Sequence, residues 1–156
     1  MRFLKYWLPF LAWMAFIFIG SGDVLSANHT SRFIVPFLHW LMPQLSPEAL
    51  ERVHMLIRKL AHVTEYAILA ILIWRALFHG TTLDWKPSRF FFAAWIICLF
   101  MAGCDEFRQS FVASRGPSVW DVMIDGVGAA LGLGIYWLII KQLRHQSILE
   151  DRKSRS

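Results

Sequence analysis

Lys59, His62, Glu65 and Tyr66 are related by steps of three and four. A helix through them therefore carries an ammonium, an imidazole, a carboxylate and a phenol along one stripe. Asp105 and Gln109 share a second helical face at a spacing of four, with Glu106 beside them, and Asp121 and Asp125 repeat that spacing later in the chain. Such groups support three kinds of chemistry. A carboxylate such as Glu65 or Asp105 can act as general base, and His62 can carry a proton. Ammonium and guanidinium groups hold phosphate or carboxylate, a role open to Lys59 and Arg115. Acids alternating with a histidine can also ligate a divalent cation, although no strict metal motif is present and the cofactor is left open. No Ser or Cys stands near the histidine in a nucleophile setting. Cys98 and Cys104 lie six residues apart, on different faces of one apolar segment, and match no redox or zinc spacing. They read as packed thiols.

The elements that must position these groups are membrane helices. The chain of 156 residues is 56% hydrophobic and only 17% charged, with eight Trp and thirteen Phe, an apolar share above that of ordinary soluble domains. It reads as a single all-α domain, because no linker, repeat or low-complexity tract divides it. The net charge of +5 comes from basic residues that flank apolar segments. They suit topology and lipid-headgroup anchoring better than a nucleic-acid surface. Membrane lipids are the expected surroundings, and nucleic acid is not an expected partner.

A span needs about 20 mostly apolar residues, and the uncharged runs here fall short of that length. With one end of each helix fixed by basic or aromatic anchors, the polar clusters must complete the other end. Four spans result, at about residues 3–20, 60–78, 90–106 and 121–140, forming a four-helix transmembrane bundle. The transmembrane domain covers 1–145, and 146–156 is expected as a basic cytoplasmic tail. Asp105 and Asp125 each lie sixteen residues from their anchors, Arg89 and Lys141. At the α-helical rise that is ~24 Å, which brings the polar groups to one level.

Between the first and second spans, "SRFIVPFLHWLMP" is too short to cross and contains Pro36, so an interfacial or re-entrant helix is expected. Ser46, Pro47 and Glu48 then mark a helix start. From there Leu50, Val53, Leu56, Ile57 and Leu60 form an apolar face opposite Glu51, Arg52, His54, Arg58 and Lys59. This amphipathic stretch is expected to lie along the outer surface or to bend into the second span. At the N-terminus, Arg2 and Lys5 precede an apolar run in the manner of a signal peptide, but "VLSAN" puts Leu25 at the −3 position, which favours an uncleaved anchor. The bias of basic residues predicts both termini on the cytoplasmic side.

The segments "KLAHVTEYAIL" and "DEFRQSFVASRGPSVWDVMIDGVGAALG" resemble the VanZ-like family of small bacterial membrane proteins, over nearly the whole chain. The family's Lys/His/Glu/Tyr motif falls on Lys59, His62, Glu65 and Tyr66. Its Asp-Glu-x-x-Gln motif falls on Asp105, Glu106 and Gln109, and the following Arg and Asp fall on Arg115 and Asp121. Members often carry Asn where this chain has Asp125, so a role that needs an amide donor there is not carried over. The resemblance implies the bacterial inner membrane and a link to low-level teicoplanin resistance, the phenotype associated with the founding member.

Buried ion pairs do not reliably stabilise a fold, because desolvation offsets their attraction. Intramembrane ionisable clusters instead tend to mark pathways or sites. His62, Glu65, Asp105 and Glu106 are therefore the candidate catalytic groups, and Lys59, Tyr66, Gln109, Arg115, Asp121 and Asp125 the candidate binding groups. The expected ligand is an amphiphile of the cell envelope, such as a lipid-linked wall precursor. A lipid-binding or flippase-like module and a scaffold for an envelope partner are the alternatives. The glycine pair Gly128 and Gly132 reads as close helix packing that brings Asp125 against a neighbouring helix.

Overall fold

The computed structural model describes residues 2–22, 27–111 and 118–154, and among these it contains helices and no strand. Five helices follow in order: α1 (Arg2–Gly20), α2 (Ala27–Leu41), α3 (Pro47–Gly80), α4 (Pro87–Gln109) and α5 (Val119–Ser154). All but α2 are long and apolar enough to cross a membrane. α2 has 15 residues, or ~22 Å of helix, less than a bilayer's hydrocarbon thickness. The chain is thus a multi-pass, four-span helical protein with one short additional helix.

α3 is the hub, since it packs against each of the other four helices. It starts where the sequence signals a start. Ser46 caps it by accepting from the Ala49 amide at 3.3 Å, and Pro47 takes the first turn, where its missing N–H costs nothing. From there it runs without a break for 34 residues. The amphipathic stretch is therefore continuous with the second span as one helix.

The face it buries takes one residue from the apolar side and one from the polar side. Leu50 and His54 are both 1% exposed, while Met55, Leu56, Ile57 and Leu60 point outward. In water the apolar side of such a helix turns inward, but against lipid the bundle interior attracts the side that can form specific polar contacts. α5 similarly continues as helix to Ser154, through most of the segment expected as a tail.

The α3–α5 seam sets the register of the molecule. A Cβ placed on Gly128 would lie 2.5 Å from the Val63 carbonyl oxygen, and one on Gly132 would lie 2.5 Å from that of Ala67. No side chain fits between these backbones, so the glycine pair is what allows the approach. Lys59 meets Asp121, His62 faces Asp125, and Val63 and Ala67 receive the two glycines. The two helices therefore run side by side in the same direction.

The ends of the bundle differ in character. At the end where α1 and α4 begin and α3 stops, the core is aromatic. Trp74 stacks on Phe78 at 4.7 Å and meets Phe91 and Tyr136, each at 5.2 Å. Arg75, Lys86, Arg89 and Lys141 stand exposed around this basic end. At the opposite, polar end the buried residues are His54, Asp105, Glu106, Gln109 and Asp125, with Ser21.

Candidate functional site

At the polar end a cavity of about 170 Å³ opens between the end of α1, α2 and the first half of α3. Its polar lining is Ser21, Thr30, Arg58, His62 and Glu65, and Ile34 and Ile57 contribute apolar wall. Arg58, His62 and Glu65 come from successive turns of α3, the spacing that puts them on one face. α2 is pinned to that face through Thr30, whose hydroxyl contacts His54 Nε2 at 3.2 Å and accepts from Arg58 Nη1 at 3.3 Å. α1 is pinned by Trp13, whose indole N–H donates to the Glu65 carbonyl oxygen at 3.0 Å.

Beside the cavity, Asp105 is held on both oxygens. Ser21 donates to Oδ1 at 2.6 Å, and Arg108 reaches the same oxygen through Nη2 at 3.0 Å and Nε at 3.3 Å. Gln109 Nε2 donates to Oδ2 at 2.8 Å. Arg108 also donates to the Ser21 hydroxyl and lies over the Phe18 ring. An acid so fully engaged is suited to fixing its neighbours. Ser21 belongs to both structures, since it lines the cavity and bonds Asp105.

Glu106, the other acid of the pair, serves a different contact. Its Oε2 accepts the Ser118 backbone N–H at 2.9 Å, tying the end of α4 to the residue just before α5. A carboxylate at that place also suits the positive end of the helix dipole.

Asp125 closes the group from α5. It is buried, and its Oδ1 faces His62 Nδ1 at 3.6 Å. Because His62 also lines the cavity, its imidazole connects that space to the α5 carboxylate. A carboxylate against Nδ1 orients an imidazole. Lys59 and Asp121 meet at 3.4 Å further toward solvent, both substantially exposed, as a rim pair. Tyr66 is buried in the core one turn below His62.

Of the residues singled out in the sequence, His62 and Glu65 thus share the cavity. Asp105 and Gln109 stand behind it through Ser21, and Asp125 backs His62. Lys59 and Asp121 pair outside, Glu106 secures α5, and Arg115 lies outside the described residues, as does the "VLSAN" leucine, Leu25. Among the described residues no three His, Cys, Asp or Glu side chains converge as they would around a metal ion.

Sequence reasoning missed Ser21, Thr30, Arg58 and Arg108 as members of the constellation. Arg108 carried a usable signal, since it follows Asp105 by three residues on one helix. Ser21 carried none, because its partner is 84 positions away.

Neither the curated proteins nor the solved structures include a significant match to this chain. A family model described as VanZ/LLP1 matches residues 6–141, nearly the whole helical bundle and both polar motifs, and the chain therefore belongs to the VanZ/LLP1 family.

Proposed function

We propose that the polar-end cavity receives the headgroup of a cell-envelope amphiphile from the outer leaflet of a bacterial inner membrane, with both termini of the chain in the cytoplasm. The observation that carries this reading is the lining itself. A guanidinium (Arg58), a hydroxyl (Thr30), an imidazole (His62) and a carboxylate (Glu65) share one small space with Ile34 and Ile57. At ~30 Å³ per water, 170 Å³ is the room of about five or six waters. That suits a headgroup fragment, with the apolar chains left in the bilayer.

In this reading Arg58 and Thr30 hold an anionic group, phosphate or carboxylate, by charge-assisted hydrogen bonds. Glu65 and the Asp125-backed His62 supply proton acceptance and donation at the same place. Asp105, with Ser21, Arg108 and Gln109, keeps the α1 end against α4 and so holds one wall of the cavity in position. The family's association with teicoplanin resistance supports an envelope ligand.

The test is native mass spectrometry of the purified protein with a lipid-linked wall precursor, alongside teicoplanin susceptibility of cells carrying each variant. Arg58→Gln is expected to lower precursor occupancy about tenfold, since a charge-assisted contact is lost. If Glu65→Gln and Asp105→Asn insert normally and leave both binding and susceptibility unchanged, the site reading fails and a scaffold role replaces it. Loss of the phenotype in Glu65→Gln with binding intact would establish chemistry on the bound ligand.

A further inference from the structure

We propose that the basic end of the bundle carries a second, separate binding site, for the phosphate headgroup of an anionic phospholipid of the bilayer. A cavity of about 200 Å³ lies there between α3, α4 and α5. Its walls include Trp74 and Phe78 from α3, Phe91 from α4 and Trp137 from α5, and its polar lining includes Lys141 and Arg144. No carboxylate lines it.

Three observations together specify the ligand class. The first is charge. Lys141 and Arg144 stand three residues apart, so they fall on one helix face, and both are exposed at the rim. Lys141 Nζ lies 5.2 Å from the Trp137 ring centroid, a cation–π contact that keeps the ammonium beside the cavity.

The second is a rigid apolar wall. Trp74 is 4% exposed, and its stacks on Phe78, Phe91 and Tyr136 fix the ring, so the basic groups at the rim are the polar groups a ligand meets.

The third is depth. Aromatic walls with Lys and Arg at their rim match the headgroup boundary of a bilayer, where indole rings and basic side chains both settle. A molecule with an anionic head and apolar tails satisfies all three conditions, with the phosphate on Lys141 and Arg144 and the acyl chains along Phe91 and Ile140.

The experiment is native mass spectrometry of the full chain released from detergent micelles containing equal amounts of phosphatidylglycerol and phosphatidylcholine. The wild type is expected to retain phosphatidylglycerol in preference. Replacing both Lys141 and Arg144 by Gln is expected to lower its occupancy about tenfold. The paired control Lys86→Gln with Arg89→Gln removes the same charge from the same end outside the cavity, and is expected to leave occupancy unchanged. Equal retention of the two lipids overturns the proposal, as does an equal loss in both double variants, which would mean diffuse surface attraction. Displacement of the lipid by inorganic phosphate would assign the cavity to a soluble anion and overturn the lipid assignment. Persistence of the bound lipid in its presence supports it.

Discussion

The two ends of this bundle are made from the same helices and are packed by opposite means. At the basic end, ring stacking around Trp74 joins α3, α4 and α5, while the charged groups stand at the exposed rim. At the polar end Asp105, Glu106 and Asp125 are buried, and the cations that accompany them, Lys59 and Arg108, reach toward solvent. Aromatic packing gains dispersion energy with no desolvation cost to the rings. Burial of carboxylates spends much of the attraction to their partners on lost hydration. Stability is therefore concentrated at the basic end and chemical capacity at the polar end.

That contrast can be broken by substitution. The largest effect is expected from Trp74→Ala, which empties the centre of the aromatic cluster and should destabilise the fold by about 4 kcal/mol in reversible unfolding from mixed micelles. Asp105→Ala should cost about 2 kcal/mol, because the Ser21 and Gln109 donors lose their acceptor while Arg108 recovers some hydration. Lys59→Ala should change stability by about 0.5 kcal/mol or less, since the pair with Asp121 is largely exposed. A polar-end loss larger than that of Trp74→Ala would reverse the assignment of the two ends. A measurable ligand effect of Lys59→Ala at unchanged stability would sharpen it, by making the rim pair part of the headgroup site.

The spans and the level of the polar groups were legible because hydrophobic length and helix rise constrain both. Counting sixteen residues from Arg89 and from Lys141 places Asp105 and Asp125 at matching heights, and the structure buries both at the polar end. The glycine pair was legible for a related reason. A GxxxG spacing in an apolar helix needs a neighbouring backbone, and Val63 and Ala67 supply it. The orientation of the first half of α3 was not legible from periodicity. Period 3.6 shows that Leu56 and Leu60 share a side opposite His54, but the surroundings decide which side is buried. Nor can local sequence reveal that a serine after α1 completes the shell of an aspartate at the end of α4. Such a contact depends on how the helices assemble, and that is fixed by the sum of many packing choices.

The seam between α3 and α5 makes the distance between two backbones the variable on which two separate properties depend. A methyl group at Gly128 would have to push Val63 away, and His62 precedes Val63 as Asp125 precedes Gly128 by one turn. Any widening there therefore also lengthens the 3.6 Å gap between the imidazole and its carboxylate. Tolerance to added volume and the contact of His62 with Asp125 are thus set by one dimension of the molecule, and neither can be altered at that position while the other is held constant.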